Sequence, residues 1–276
     1  MKYIKCGVIM NKQDILKKYT KEEDRLLIAK VLDKMEAAKS KNKITNTNFL
    51  DMYQKNLVKN LLNSIKYENY MLFGGDENSE RTVLILYPDK FNKVIVEKNY
   101  NNIMQIVEIT LPNEMHGKYT HRDYLGGLMK LGIKREKMGD IVVFNEGANI
   151  IVLNEIIEFL KSNISSLKRF IKSSIQIKNI EELYRQEIKT EEIQIIVSSL
   201  RLDSVVSELA KTSRTKAEEI ITGGRTFVNF ENIKKASKIL KKSDIITIRG
   251  KGRFVIKQVE RNTKKGRLVV CVEKYV

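Results

Sequence analysis

The chain has 276 residues, 42% of them hydrophobic, and carries 51 Lys and Arg against 34 Asp and Glu, a formal net charge of +17. Such a length and composition are typical of a folded protein with one large domain or two modest ones. No apolar run approaches the roughly 18 residues of a membrane span, and the opening "MKYIKCGVIMNKQ" is too short and too polar for a signal peptide, so we expect a cytoplasmic protein that does not bind membranes.

The cysteines and histidines predict neither a metal site nor a disulfide framework. Cys6 and Cys271 lie at opposite ends of the sequence, and His116 and His121 are not accompanied by a CxxC or HExxH motif. We therefore expect two unpaired thiols in a reducing compartment, with no metal and no other cofactor.

The positive charge is concentrated in the last quarter of the chain. Residues 201–276 contain 19 Lys and Arg against 8 Asp and Glu, a net +11, whereas residues 1–200 contain 32 against 26. A concentration of this kind attracts a polyanion, and the few aromatic residues and the lack of a Lys-rich amphipathic anchor favour nucleic acid over a membrane surface. The alternative is a charged surface that only increases solubility.

The N-terminal region is predicted to be helical. Residues 1–9 are expected to be an upstream-start extension or a disordered tail. Within residues 10–78, Thr20 and Glu23 have the spacing of a capping box at the start of a first helix. The apolar stripe of this helix is predicted to consist of Leu26, Leu27, Val31 and Met35. A second helix is predicted on the spacing of Leu57, Leu61, Leu62 and Ile65.

Residues 79–180 alternate short strand-like runs with two helices. The runs are "RTVLILYP", "NIMQIVEITLP", the two halves of "DIVVFNEGANIIVLN" around a hairpin turn, and "SSIQIKNI". Helices are predicted from Thr120 onward and in "EIIEFLKSNI". This order predicts a split β-α-β sheet of the ferredoxin or RRM kind. The aromatic signature of an RRM is missing, so base stacking on this sheet does not follow from the sequence.

The stretch "HRDYLGG" at 121–127 contains the letters that open the catalytic loop of protein kinases. A kinase also needs a Gly-rich loop, a DFG triplet and a magnesium-binding Asn, whose place is taken here by Leu128. Thr120 and Asp123 instead have the spacing of a helix-capping pair, and Gly132 is placed to end the helix. We interpret the stretch as a helix start without a catalytic residue.

A basic loop separates this helix from the hairpin. In "GIKREKMGD" the residues Lys134, Arg135 and Lys137 crowd together, which makes them a candidate second RNA contact; an exposed basic loop without a ligand is the alternative. The polar "IEELYRQEIKTEEIQ" predicts a linker over 181–198, followed by a domain over 199–276. The predicted fold class is α+β: N-terminal helices, an RRM/ferredoxin-like domain and a small α+β C-terminal domain.

Two short helices leading into a small sheet are predicted in the C-terminal domain. In the first helix, apolar residues recur at i, i+3, i+4 and i+7. They are Leu202, Val205, Val206 and Leu209. Ser213 is the predicted N-cap of the second helix, which ends at the glycine pair 223–224. "RTFVN" and "DIITIRG" are predicted strands.

The first turn of the second helix is a predicted anion site. Arg214 and Lys216 fall in this turn, where free amides, the helix dipole and two cations face one place. Arg249, Lys251 and Arg253 are expected to border the same surface from the strand and its Gly turn. The alternative is that these cations are merely solvated.

This segment resembles the S-four, or alpha-L, RNA-binding domain, which is named after a protein of the small ribosomal subunit. The matching elements are "RLD" at 201–203, "SR" at 213–214, Ala217, the "GG" turn, "VN" at 228–229 and Asp244 before "IITIRG". The usual Asn-Gly turn is replaced by Asn229-Phe230. The predicted RNA-binding residues are Arg201, Lys211, Ser213, Arg214, Thr215, Lys216, Arg225, Arg249, Lys251 and Arg253.

From about Met10 to the C-terminus, the chain also resembles the YlmH family of bacterial proteins. The similarity lies in "THRDYLGGLMKLGIKREKMGDI" at 120–141, "SSLRLD", "RGKGRF" and "TKKGR". The resemblance implies an N-terminal RNA-binding domain with an RRM-like portion, a C-terminal S-four domain, no catalysis and no small-molecule substrate. It also implies action on ribosomes, with rRNA, peptidyl-tRNA and the large subunit as partners and a role in ribosome quality control or translation.

Two other classes of function stay open: an enzyme that modifies rRNA, and a scaffold that binds proteins. Pseudouridine synthases often carry S-four domains, but their catalytic Asp is followed by Thr-Ser-Gly, and in "RLDSVVSEL" Val206 and Glu208 replace the Thr and the Gly. An S-four rRNA methyltransferase would need a Gly-rich cofactor loop, which the sequence lacks. Asp203 is therefore interpreted as a helix-start residue. In the second alternative, the chain is a scaffold that binds proteins through the N-terminal helices.

Overall fold

In the computed structural model, the described residues are 3–5, 8–77, 79–184, 190–261 and 266–275. The chain divides into two compact units, Met1–Gln186 and Glu187–Val276. This boundary falls inside the segment that was predicted to be a linker. Within the described ranges, no helix is both long enough and apolar enough to cross a lipid bilayer.

The first unit begins with a hairpin and a short helix. Strands β1 (Tyr3–Lys5) and β2 (Val8–Met10) pair in antiparallel fashion. Part of the segment 1–9, expected to be an extension or a disordered tail, thus has regular structure, while residues 1, 2, 6 and 7 lie outside the described residues. Helix α1 (Lys12–Leu16) begins at a capping box formed by Asn11 and Asp14.

A three-stranded sheet follows, with two of its strands in the region that was predicted to be helical. Its elements in chain order are α2 (Glu22–Ser40), β3 (Thr45–Leu50), α3 (Met52–Ser64), β4 (Tyr70–Phe73) and β5 (Thr82–Leu86). The strands are antiparallel in the order β3-β5-β4. The two predicted helices of residues 10–78 are present, but the prediction lacked strands β3 and β4, and "RTVLILYP" belongs to this sheet rather than to the RRM-like one.

Threonines on the buried face of β3 explain why hydropathy did not reveal this strand. Thr45 and Thr47 are buried together with Phe49. Thr45 Oγ1 donates to the Lys34 carbonyl at 2.9 Å, and Thr47 Oγ1 accepts from the Leu84 amide at 3.1 Å. Because these hydroxyls have partners, β-branched but polar side chains can form the inner face of the strand.

The helices of this region bury faces that the sequence predicted only in part. Helix α2 begins after Lys21 without a side-chain cap, so the Thr20–Glu23 capping box is not formed. The buried residues of α2 are Ile28, Val31, Leu32, Met35 and Ala38. Leu26, placed on the predicted stripe, is 55% exposed. The apolar residues of α2 could form either of two overlapping stripes. The stripe that contains Ile28 is the one that is buried in the core. On α3, the predicted Leu61, Leu62 and Ile65 are buried.

The rest of the first unit has the predicted RRM/ferredoxin-like topology. After α4 (Lys93–Glu97), its elements are β6 (Met104–Thr110), α5 (His121–Lys130), β7 (Met138–Phe144), β8 (Gly147–Leu153), α6 (Ile157–Asn163) and β9 (Ser174–Lys178). The strand order is β7-β8-β6-β9, with all neighbours antiparallel. The first and third strands are thus central, as in a split β-α-β sheet. The hairpin predicted at "FNEGANI" joins β7 to β8.

The second unit is a six-stranded antiparallel sheet with two helices on one face. Its elements are β10 (Thr190–Val197), α7 (Leu202–Ala210), α8 (Arg214–Thr222), β11 (Thr226–Val228), β12 (Glu231–Asn232), β13 (Ile245–Ile248), β14 (Gly252–Arg261) and β15 (Leu268–Tyr275). The strand order is β10-β15-β14-β13-β11-β12. Val205 and Ile221 on the helices belong to one buried cluster with Ile246 and Phe254 of the sheet. The predicted α+β class is confirmed.

Most of the predicted linker is a strand of this sheet. Thr190–Val197 pairs along its whole length with β15, and Ile195 and Val197 are buried while Gln194 and Ile196 are exposed. The alternation of buried and exposed residues is typical of a strand. The Glu and Gln residues among the apolar ones gave this segment the composition of a linker. Residues 185–189 of the predicted linker lie outside the described residues.

Candidate nucleic-acid interface

Asp123, in the kinase-like "HRD", is a helix-start residue. Its Oδ2 accepts hydrogen bonds from the amide and the hydroxyl of Thr120, each at 2.8 Å, and its Oδ1 is 3.1 Å from Arg169 Nη1. The hydrogen bonds from Thr120, assisted by the charge of Arg169, lower the pKa of Asp123. The helix ends at Lys130 with Leu131 as its C-cap, and Gly132 follows with a φ of +78°, as the sequence predicted.

Two of the three cations in the loop 134–137 are bound within the first unit. Arg135 Nη1 donates to the carbonyls of Met138 and Gly139, both at 2.8 Å. Lys137 donates to Asn48 Oδ1 at 2.9 Å and forms an ion pair with Glu155. Lys134 is exposed. The loop that was a candidate second RNA contact therefore presents Lys134 to solvent, with Arg135 and Lys137 used in internal contacts.

A partly buried polar junction around Arg135 was missed by sequence reasoning. Arg81 Nε donates to the Met138 carbonyl at 3.0 Å, and the Asp140 carboxylate accepts from the amides of Glu80 and Arg81 at 2.7 and 3.1 Å. Burial, followed by the charge of Arg81, lowers the pKa of Arg135 to about 10. The junction ties the strand β7 to the segment before β5, so we assign Arg135 a structural role.

In the second unit, a buried carboxylate holds two of the predicted RNA-binding arginines. We call Arg201, Asp203 and Arg214 the Asp203 cluster. Arg201 Nη2 and Nε donate to the two Asp203 oxygens at 2.7 and 3.2 Å. Arg214 Nη2 lies 3.1 and 3.2 Å from the same oxygens. The Asp203 side chain is 5% exposed, whereas those of Arg201 and Arg214 are 38% and 53% exposed. The carboxylate thus fixes one side of each guanidinium and leaves another side accessible.

Asp203 stays ionised because its hydrogen bonds outweigh its burial. Burial alone would raise the pKa of this carboxyl, but hydrogen bonds from Arg201 and Arg214, and one from the Ser204 amide at 2.7 Å, lower it below its ordinary value. Asp203 lies in the first turn of α7, as predicted, and it also joins the starts of both helices. The spacing of "RLD" and "SR" in the sequence did not reveal this link, because it depends on the packing of α8 beside α7.

The start of α8 has the predicted geometry. Ser213 is the N-cap, and its side chain accepts from the Lys216 amide at 3.2 Å. Thr215 and Lys216 are exposed in the first turn, and the exposed Lys211 ends α7 in a left-handed conformation with a φ of +51°. Cations and the positive end of a helix dipole therefore share one region with the Asp203 cluster.

The remaining predicted RNA-binding residues lie elsewhere in the second unit. The Arg249 amide donates to the Arg225 carbonyl at 2.9 Å, just beyond the C-terminal end of α8. Arg214 and Lys216 are at the other end of this nine-residue helix, which is about 13 Å long. Arg249 therefore lies near the C-terminal end of α8, and the prediction that Arg249, Lys251 and Arg253 border the same surface as Arg214 stays a prediction. Sequence spacing could not show which end of α8 the β13–β14 turn approaches.

Aromatic rings that the sequence analysis did not select accompany this second group of cations. The Arg249 guanidinium lies 5.1 Å from the centre of the Phe227 ring. That of Arg253 lies 5.4 Å from the Phe230 ring and 5.8 Å from the Tyr275 ring. The alternation of side chains along the strand "RTFVN" could have revealed Phe227. Because Val228 is buried, Phe227 must point to the opposite face of the sheet.

Among the residues that the structure describes, no three His, Cys, Asp or Glu side chains are grouped so that they could hold a metal ion.

Comparison with known families agrees with the two-domain organisation. Residues 96–183 match the model described as "Putative RNA-binding domain in YlmH", and residues 200–246 match the model of the S4 domain, the S-four domain named above. The first match covers the RRM-like sheet, and the second extends from the start of α7 into β13. A ferredoxin-like RNA-binding domain followed by an S4 domain defines an RNA-binding protein.

Similarity to individual proteins extends along most of the chain. Over 264 residues, this chain is 26% identical to the "Ribosome-associated protein quality control protein P2" of Bacillus subtilis (strain 168). The matched region covers 95% of this chain and 98% of that protein. The structure of "Cell division protein ylmH from Streptococcus pneumoniae" is 23% identical, covers 60% of this chain and 98% of its own, and gives a TM-score of 0.45. The chain is therefore similar to YlmH proteins in its RNA-binding domain, and its S4 domain lies toward the C-terminal end.

Proposed function

We propose that this chain binds rRNA and peptidyl-tRNA on the large ribosomal subunit, as a non-enzymatic factor in the quality control of cytoplasmic ribosomes. The Asp203 cluster is the observation that carries the RNA-binding part. The ribosomal part is supported by the similarity to YlmH proteins and by the name of the Bacillus subtilis relative, a ribosome-associated quality control protein.

The Asp203 cluster is suited to phosphate because its arginines are already oriented. A guanidinium that is held on one side by a carboxylate loses little freedom when the other side binds an anion. Two arginines and one aspartate leave a net charge of +1, to which the exposed Lys211 and Lys216 add. Contacts of this kind position RNA without reading its sequence.

The environment of Asp203 supports a positioning role over a catalytic one. Both carboxylate oxygens accept hydrogen bonds from the chain itself, and the side chain is almost inaccessible to a substrate. Asp123 is likewise occupied by Thr120 and Arg169. These contacts favour a binding protein over a pseudouridine synthase or a methyltransferase.

Sedimentation of cell extracts tests the ribosomal part. The tagged chain is expected to co-sediment with the large subunit, more so after translation is stalled, and the Lys211→Gln/Lys216→Gln variant is expected to shift toward the free fractions. Recovery of the wild type only in the free fractions, with and without stalling, would contradict the proposal. Release of tritium from C5-labelled uridine in rRNA, or transfer of a labelled methyl group, would replace it with an enzymatic function.

A further inference from the structure

The outer face of the C-terminal sheet presents aromatic rings interleaved with arginines. Phe227, Thr247 and Arg253 occupy one row across β11, β13 and β14. The next row, Val228, Ile246 and Phe254, is 1%, 0% and 2% exposed, in one buried cluster with α7 and α8. Side chains alternate between the faces of a sheet, so the row containing Phe227 points away from the helices. We call Phe227, Phe230, Tyr275, Arg249 and Arg253 the aromatic face.

Each ring on this face is partly exposed and lies near a guanidinium. Arg249 covers Phe227, and Arg253 lies near both Phe230 and Tyr275, with ring-centre distances between 5.1 and 5.8 Å. A planar base can stack on an aromatic ring or on a guanidinium plane, so this surface offers both kinds of platform. Aromatic rings and guanidinium groups alternate over adjacent strands of the sheet.

Phe230 occupies a backbone conformation that does not suit it. Asn229 and Phe230 form the two-residue turn between β11 and β12, with φ values of +50° and +68°. Such a turn favours Asn followed by Gly, since a bulky side chain at positive φ is strained. Asn229 matches its position and is held by hydrogen bonds to Asp244 and Ile245. Phe230 is the mismatch, and it places a ring beside Arg253 at a conformational cost that a glycine would avoid.

The charge around the aromatic face indicates the chemistry of its partner. Residues 225–253 contain nine Lys and Arg against two Asp and Glu. Arg225 and Lys251 are exposed beside Arg249 at the end of β13. An anionic partner with flat apolar groups satisfies both features, and unpaired RNA combines phosphates with accessible bases. In a duplex the bases are stacked on one another and cannot reach these rings.

We propose that the aromatic face binds unpaired nucleotides of RNA by stacking their bases on Phe227, Phe230 and Tyr275, while Arg225 and Lys251 contact the adjoining phosphates. This inference rests on the proposed RNA-binding function and adds the substrate class. The Asp203 cluster, at the other end of α8, contacts phosphates of paired and unpaired RNA alike.

Phe230→Gly is the most informative variant, because it should weaken binding without lowering stability. Glycine relieves the positive φ, so thermal unfolding should occur at an equal or higher temperature. Loss of one stacking platform should lower the affinity for a single-stranded RNA of adenine and cytosine roughly tenfold. The affinity for a short RNA duplex, and the salt dependence of both, should not change, since no charge is removed.

Two further variants complete the test. Phe227→Leu keeps apolar volume but removes the flat ring, and it should also weaken binding of the single strand alone. Phe159→Leu is the matched control, because Phe159 is 45% exposed on α6 of the first unit; it should bind both RNAs as the wild type does.

The outcomes separate this inference from the proposed function. If the wild type binds both RNAs but Phe230→Gly and Phe227→Leu bind the single strand unchanged, or lose the duplex equally, the aromatic face is not a base-stacking site. If the wild type binds neither RNA, the RNA-binding function itself is overturned.

Discussion

Arg214, in the first turn of α8, lies 3.1 Å through its Nη2 from Oδ1 of Asp203, in the first turn of α7. Arg201, which precedes α7, donates to the same carboxylate. One buried negative charge therefore keeps two arginines side by side, and without it they would repel each other. The contact gives Asp203 a role in the stability of the second unit as well as in the proposed RNA surface.

Replacement of Asp203 by Asn should destabilise the second unit by about 2 kcal/mol. Breaking a fully buried ion pair costs about 3–5 kcal/mol, but here both arginines are partly exposed and solvent screens them. Hydrogen exchange of peptides from residues 190–261 measures this change without requiring both units to unfold together. Asp33→Asn is the control, since Asp33 pairs with Lys12 but is 61% exposed. Equal protection in the two variants would contradict the role given to Asp203.

The stability of the second unit should decrease in acid through the same residue. A carboxyl whose pKa is lowered by folding stabilises the folded state above its unfolded pKa, about 3.9 for Asp, and this contribution is lost as the pH falls through the folded value. The difference in stability between the wild type and Asp203→Asn should therefore be full at neutral pH and shrink below about pH 4. Hydrogen exchange or denaturant unfolding across this range measures it. A difference that stays constant would show that the carboxylate is not the titrating group.

Local patterns in the sequence were sufficient for the α7–α8 pair but not for the arrangement of cations around it. Each of these signals lies among residues that are close in the sequence: the apolar spacing that begins at Leu202, the N-cap at Ser213 and the glycines after α8. The structure confirms all three. The link between Asp203 and Arg214 spans eleven positions and depends on how two helices pack. Whether side chains meet across elements is a tertiary property, which the spacing of residues in one sequence does not determine.

The N-terminal sheet was missed because its inner face is partly polar. A Thr47→Val change tests whether the threonine hydroxyl is needed there. Valine has nearly the same shape, but it leaves the buried Leu84 amide without its acceptor and should cost about 1–3 kcal/mol of stability in the first unit. Thr47→Ser keeps the hydroxyl and should retain the hydrogen bond. Hydrogen exchange of the Leu84 amide distinguishes the two variants, and similar protection in both would mean that the hydroxyl contributes little.

RNA binding by the second unit should weaken steeply with salt. If roughly four to six phosphates are neutralised, the slope of log affinity against log salt concentration should be about −3 to −5. Lys211→Gln with Lys216→Gln should reduce this slope by about one unit per lost contact, for duplex and single strand alike. Lys211 and Lys216 are preferred to Arg214, whose removal would also expose the Asp203 charge and mix stability with binding.

The control for this double variant must remove the same charge from a region that is not expected to bind RNA. Lys30→Gln with Lys34→Gln serves this purpose, because both lysines are exposed on α2 of the first unit. Lys39 is less suitable, since its ammonium group lies 5.7 Å from the centre of the Tyr67 ring. Exposed substitutions of this kind usually change stability by only about 0.5 kcal/mol, so a loss of affinity can be assigned to the interface. If both double variants weaken RNA binding equally, net charge alone accounts for the affinity, and the start of α8 is not the phosphate site.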